Sequence, residues 1–229
     1  RILDRQKGIV PLERLGMEES QLELLKRMIS RPEGIIMVTG TTGSGKTTTL
    51  YSILNHINSD GVNIMTLEDP VEYPMTLIRQ TSVNEAAKMD FGNGIRSLMR
   101  QDPDVILVGE IRDEDTATMA FRAAMTGHLV LTTLHADSVA QAIGRIREFY
   151  PAAEQGNISA LLSRNLNCIV CQRLVPNTRS TRTPCLEIMR RDAGVQEAIQ
   201  TNNLHLLTGL IEASNNRGMH TFDQYLTEL

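Results

Sequence analysis

Gly40–Thr47 reads GTTGSGKT, which fits the pattern G-x-x-x-x-G-K-[ST]. Its chemistry is phosphate binding. Gly40, Thr41, Thr42, Gly43, Ser44 and Gly45 are expected to fold their N–H groups around an anion at the N-terminus of a helix. Lys46 is expected to reach the β- and γ-phosphates, Thr47 to offer its hydroxyl to Mg²⁺, and Thr48 to complete the nucleotide-binding set. Downstream, VILVGE (Val105–Glu110) places four apolar residues before an acid at a strand tip. Glu110 there suits polarisation or deprotonation of an attacking water. Gly109 occupies the place where such strands often carry a magnesium-binding aspartate. The carboxylates that could replace it lie in TLEDPVEY (Thr66–Tyr73): Glu68, Asp69 and Glu72. Glu68 joins Thr47 as the expected Mg²⁺ set, and Glu72 joins Glu110 as the expected catalytic pair.

Two further groups carry weaker signals. TGHLVLTTLH brackets a strand with His128 and His135. His135 falls at the strand's C-terminal end, where imidazole could sense a γ-phosphate; a lone His128 reads as structural when taken by itself. IRSLMRQDPD sets Arg96 and Arg100 four residues apart, on one face of a helix. Two guanidiniums in that register suit a polyanion or the nucleotide of a neighbouring subunit, and a solvated face accounts for the spacing equally well. Cys168 and Cys171 spell C-x-x-C, but zinc wants four ligands, the remaining cysteine is Cys185, and residues three apart in a strand face opposite ways. No zinc is expected.

These residues need elements that bring them together. Arg1–Gly16 reads as an incoming linker and Glu18–Ile29 as an amphipathic helix. Strands are expected at Ile35–Gly40, Val62–Glu68, from Val105, and at Leu129–Leu134. Between them fall a helix to about Asn58, a turn at Gly92-Asn93-Gly94, a helix from about Ile95 to Gln101, and a helix over Asp113–Met125. The last has an acidic first turn and a capping Gly127. This alternation predicts an α/β fold with a mostly parallel sheet covered on both faces. A parallel sheet delivers every strand's C-terminal end to one edge, so the glycine loop, Glu68–Glu72, Glu110 and His135 should meet there. After Tyr150 the pattern changes: a helix over Pro151–Asn167, a strand over Cys168–Val175, a polar mobile connection over Asn177–Pro184, and three closing helical stretches. The expected division is 1–16 linker, 17–150 core, and 151–229 last core strands with a C-terminal helical subdomain.

Composition narrows the class. The chain has 229 residues, 41% of them hydrophobic, only 3% aromatic, and no Trp, so its core must be aliphatic. The net charge of −4 and pI of about 5.8, with few stacking rings, argue against a nucleic-acid surface. Three Cys, an odd number, point to a reducing compartment, the cytosol. No apolar run approaches the roughly 20 residues that span a bilayer, and no signal peptide is evident. A start at Arg1 in place of Met suggests a processed chain lacking an N-terminal domain.

GTTGSGKTTTLY, TLEDPVEY, RQDPDVILVGEIRD and TGHLVLTTLH, in this order and spacing, resemble one family. It is the secretion ATPases that drive type II secretion and type IV pili. The resemblance covers almost the whole chain. It implies a RecA-like P-loop ATPase domain working in a homo-oligomeric, usually hexameric, ring. Such a ring is cytoplasmic, peripheral on a bacterial inner membrane, and converts ATP hydrolysis with Mg²⁺ into movement at a membrane platform protein. By that resemblance Gly40–Thr47 is the phosphate loop, Glu68–Glu72 the aspartate box and Glu110 the catalytic glutamate after a family-typical glycine. His128 and His135 form the histidine box, and Arg96 and Arg100 are inter-subunit arginines. The box departs from the pattern at Pro74-Met75, where many members have histidine. Many secretion and extension members carry a four-cysteine zinc module that CQRLVPNTRSTRTP lacks, whereas FYPAAEQ, PCLEIMRRDAGVQEAI and GMHTFDQYL resemble the pilus-retraction branch. Members also carry an N-terminal domain that completes the site, so slow hydrolysis is expected without it. Two other functions fit a ring of this kind: a regulatory subunit that binds nucleotide without hydrolysis, and a DNA-translocating conjugation ATPase.

Overall fold

A computed structural model describes residues 9–84, 90–176 and 182–228. In chain order its elements begin with α1 (Glu19–Ile29), β1 (Gly34–Thr39), α2 (Lys46–Ile57), β2 (Ile64–Glu68) and β3 (Ile78–Ser82). Next come α3 (Phe91–Leu98), β4 (Val105–Val108), α4 (Glu114–Met125), β5 (Leu129–Leu134) and α5 (Val139–Glu148). The chain continues with α6 (Gln155–Asn165), β6 (Leu166–Pro176), β7 (Arg182–Arg190), α7 (Ala193–Gln200), α8 (Leu207–Glu212) and α9 (Phe222–Glu228).

Among the described residues the strands form one seven-stranded sheet in the order β3-β2-β4-β5-β1-β6-β7. Every neighbouring pair is parallel except β6 with β7. β1, β2, β4 and β5 are buried along their whole length, as apolar strands covered on both faces must be. β3 closes one edge and is only partly buried. Register pairs Thr39 with Leu134, Thr132 with Val108, and Val108 with Leu67. The C-terminal tips of the four central strands therefore lie side by side, and the α/β expectation holds.

The elements differ from the sequence expectation in instructive places. Gly92-Asn93-Gly94 is the first part of α3, not a turn, because Asp90 caps the helix: its Oδ1 accepts from Asn93 N at 2.7 Å. Gly94 is needed for packing, since a Cβ there would lie 2.3 Å from the Leu67 side chain on β2. The α-helix stops at Leu98 and tightens into a 3₁₀ turn over Met99–Gln101. The closing part of the chain begins with β7, which pairs antiparallel with β6 before α7, α8 and α9 follow. Of the polar connection expected at Asn177–Pro184, residues 177–181 lie outside the described residues and 182–184 are strand.

The core is aliphatic, as the composition requires; Tyr51 and Tyr225 are its largest fully buried side chains. The Tyr225 hydroxyl donates to Gly16 O at 2.7 Å, tying α9 to the segment that leads into α1. Among the described residues no helix is long and apolar enough to cross a membrane.

Candidate active site

The glycine loop joins β1 to α2. Gly40 and Gly45 have φ of +144° and +91°, the left-handed region that glycine tolerates. Space forbids a side chain as well: a Cβ at Gly40 would lie 2.3 Å from Gln172 O, and one at Gly45 2.7 Å from Gln172 Nε2. Gln172 on β6 is the strut under the loop. Its Nε2 donates to Ser44 O at 2.6 Å and its Oε1 accepts from Thr49 Oγ1 at 2.7 Å. Lys46 opens α2 and donates from Nζ to Gly40 O at 2.8 Å and Thr41 O at 3.0 Å. Burial lowers its pKa, while the charge of Glu110 pulls the other way. Thr47 and Thr48 stand exposed in the first turn. Ser44 Oγ is buried without a hydrogen-bond partner. An N-terminal helix turn, a lysine folded over the loop and an unspent hydroxyl fit a phosphate group.

Beside the loop a cleft is lined by Lys46, Thr47, Tyr51, Glu68, Asp69, Glu72, Phe91, Gly109, Glu110 and Arg112, among others. Glu110 is half-buried. Its Oε2 accepts from Arg112 Nε at 2.6 Å and its Oε1 lies 3.3 Å from His135 Nε2. Arg112 also reaches Asp69 Oδ2, at 3.2 Å, and lies over the Phe91 ring. Glu72 is exposed, with its N–H directed at the Tyr51 hydroxyl at 3.3 Å.

Glu68 lines the cleft wall but is only 4% exposed. Tyr51 OH donates to its Oε2, Thr66 Oγ1 donates to its Oε1 at 2.5 Å, and Gln80 Nε2 lies 3.4 Å from Oε1. Both oxygens are thus engaged by the protein, an arrangement that suits an interior anchor better than the metal ligand the sequence suggested. Gly109 has a steric reason. A Cβ there would lie 3.2 Å from Leu67 O and 3.3 Å from Glu68 Cα, pressed between β4 and the tip of β2. Thr133 Oγ1 donates to Gly109 O at 2.5 Å and Gly109 N donates to Leu67 O at 2.8 Å, so the backbone is fixed on both sides.

The fold brings together the loop residues, Glu68, Glu72, Glu110 and His135. It does not bring His128, Arg96 or Arg100 to them. His128 precedes β5, at the opposite edge of the sheet, where its backbone O accepts from Gly34 N at 3.2 Å and its Nδ1 lies 2.9 Å from Ala123 O. Arg96 is exposed on α3, donating to Asn93 Oδ1 at 3.1 Å; Arg100 is exposed in the 3₁₀ turn that leads to the N-terminal end of β4. The α-helix ends at Leu98, so Arg96 stands on α3 and Arg100 in the 3₁₀ turn that continues it. Arg112, Tyr51, Gln80 and Gln172 were missed by sequence reasoning. Only Arg112 left a signal, as a cation two residues beyond the strand-tip acid.

Comparisons with known proteins agree with this fold. A family model described as "Type II/IV secretion system protein" matches residues 1–215. "Putative type II secretion system protein E" of Escherichia coli (strain K12) is 50% identical over 175 residues, 76% of this chain and 34% of that protein. "Type II secretion system protein E" of Pseudomonas aeruginosa is 46% identical over 192 residues, 84% of this chain and 36% of that protein. The chain spans about a third of the length of these curated relatives. Among solved structures, the crystal structure of the pilus retraction motor PilT with bound ADP matches with a TM-score of 0.82 at 32% identity. That match covers 97% of this chain and 68% of PilT. The Legionella pneumophila ATPase DotB matches with a TM-score of 0.75 at 25% identity, covering 96% and 65%. With its glycine loop and strand-tip acids on one edge of the matched sheet, the chain belongs to the type II/IV secretion system protein family.

Proposed function

We propose that the chain binds ATP with Mg²⁺ and hydrolyses it as the motor part of a secretion or type IV pilus machine. The observation that carries this reading is the placement of Lys46 and Glu110 in one cleft, at the tips of parallel strands. Lys46 turns from the loop carbonyls to the β- and γ-phosphates, and the loop N–H groups hold the anion. Glu110 orients the attacking water and takes its proton; His135, already beside the Glu110 carboxylate, reads the γ-phosphate. Bound Mg²⁺ would neutralise phosphate charge, held by Thr47 and Glu72, directly or through water. Glu68 supports the Asp69–Glu72 segment from behind.

On this reading the protein works as a homo-oligomeric ring, hexameric in the full assembly, on the cytoplasmic face of a bacterial inner membrane, against a platform protein. His128, Arg96 and Arg100 lie away from the chain's own cleft, and we assign them to contacts between subunits. The segment after residue 150 supplies two sheet strands and then the helical subdomain. Secretion proteins among the sequence relatives and a retraction motor among the structures leave two assignments of force direction, which complementation of secretion-null and retraction-null strains separates.

The test is Glu110→Gln. ATP affinity should stay within a few-fold while phosphate release stops. Normal turnover in that variant would falsify the assignment.

A further inference from the structure

Among the described residues, Arg112 joins two strand tips that no other side-chain hydrogen bond in the cleft connects. Glu110 follows β4 and Asp69 follows β2. One guanidinium donates from Nε to Glu110 Oε2 at 2.6 Å and from Nη1 to Asp69 Oδ2 at 3.2 Å, with the Phe91 ring of α3 behind it, 5.8 Å away. A planar guanidinium offers Nε and Nη1 as separate donors in a rigid fork, so it holds the two carboxylates in one fixed geometry; an ammonium on a flexible stem carries the charge without fixing that direction. The remaining Glu110 oxygen faces His135 at 3.3 Å, so the carboxylate is held at both ends.

Charge makes this bridge matter. Among the described residues lining the cleft, the carboxylates are Glu68, Asp69, Glu72 and Glu110, and the cations are Lys46 and Arg112. Lys46 belongs to the phosphates. A nucleotide adds further negative charge next to Glu110. Mg²⁺ would offset charge on the phosphates, but Arg112 is the cation in contact with both Glu110 and Asp69; without it, repulsion between these two carboxylates would turn the Glu110 side chain away from the reacting centre. The bridge is not a stability device, because Arg112 and Asp69 are 50% and 46% exposed and such pairs contribute little to folding. It constrains direction. The hydrogen bond to Glu110, ahead of the other favourable contacts, raises the pKa of Arg112, so the guanidinium stays charged throughout the working range.

We infer that Arg112 is the positioning residue of the site: its guanidinium ties Glu110 to Asp69 across β4 and β2 and aims the Glu110 carboxylate at the attacking water. The inference rests on the hydrolytic reading above. Arg112 itself touches no reacting atom.

The experiment is steady-state phosphate release with Mg-ATP by the protein and by its Arg112→Gln, Arg112→Lys, Asp69→Asn and doubly substituted Arg112→Gln/Asp69→Asn forms, with melting temperatures as the folding control. Arg112→Gln should lower kcat by about tenfold or more with KM for ATP nearly unchanged, the signature of lost positioning. Arg112→Lys keeps the charge but loses the rigid fork that fixes the carboxylate's direction, and should give an intermediate rate. Asp69→Asn should cost less than Arg112→Gln, and the double form should be no slower than Arg112→Gln alone, since both remove one bridge. A kcat for Arg112→Gln within about twofold of the parent, a loss seen only in KM, or losses that multiply in the double form would each overturn the proposal while leaving the hydrolytic reading intact. A parent protein without ATP turnover overturns both.

Discussion

At the scale of single residues, the site rests on a buried hydroxyl. Tyr51 on α2 donates to Glu68 Oε2 and lies 3.3 Å from Glu72 N and 3.4 Å from Gln80 Nε2. Burial, then the hydrogen bond to Glu68, raises its pKa, so it remains a protonated donor at neutral pH. Tyr51→Phe keeps the ring and its edge contact with Tyr73 but removes that donor. A buried carboxylate then loses a hydrogen-bond donor, which costs about 1–3 kcal/mol. Urea unfolding should show that loss, and an unchanged midpoint would mean that Glu68 does not depend on Tyr51. Residues of this kind explain what the sequence reveals. The glycine loop is legible because its pattern is local: eight consecutive residues hold glycines, lysine and hydroxyl in fixed order. The role of Glu68 is not, because its partners Tyr51 and Gln80 stand 17 and 12 residues away and nothing in their types announces a carboxylate. Gln172 is further still, 128 residues from the Ser44 carbonyl it holds.

At the scale of elements, Gly109 turns from an anomaly into a packing requirement. The tip of β4 runs so close to β2 that a new Cβ would contact Leu67 O, Glu68 Cα and the Phe91 ring at 3.2, 3.3 and 3.6 Å. An aspartate there would push a carboxylate toward a carbonyl oxygen and an aromatic edge. Gly109→Asp should therefore cost about 1–3 kcal/mol of stability by overpacking and repulsion, and Gly109→Ala less. If thermal unfolding shows Gly109→Asp as stable as the parent, the strand tips are looser than these contacts require. The same closeness explains why α3 was misjudged in sequence. Gly92 and Gly94 look like turn residues, yet Gly94 lets the helix settle on Leu67, and Asp90 starts the helix ahead of them. Continuous apolar runs identified β1, β4 and β5. β3 escaped because Ile78–Ser82 is a short polar edge strand, and β7 because its pairing with β6 comes from a partner strand rather than from its own pattern.

At the scale of the molecule, three buried thiols report how the structure opens. Cys168 and Cys171 lie in β6, between β1 and β7, and Cys185 lies in β7, its Sγ near Phe222 O of α9. Burial pushes the thiols of Cys168 and Cys171 up to about 12 and about 11, and raises that of Cys185. All three are therefore protonated and shielded at neutral pH, and alkylation must wait for opening. The routes differ. Cys185 is covered from one side by the last helix, so local release of α9 should expose it first. Cys168 and Cys171 need the sheet itself to separate, which is global unfolding. Nucleotide binding sharpens the difference, because a ligand that binds only the folded loop stabilises against global unfolding by about 2.7 kcal/mol at a hundredfold excess over Kd. Mg-ATP should then slow labelling of Cys168 and Cys171 by roughly a hundredfold, when opening and reclosing outpace the reagent, and leave Cys185 nearly unchanged. Pulsed alkylation read by peptide mass spectrometry separates the three sites. Equal protection of all three would show that α9 opens only with the sheet. Early labelling of Cys168 or Cys171 with Mg-ATP bound would mean that β6, and with it the Gln172 strut, moves independently of the phosphate loop.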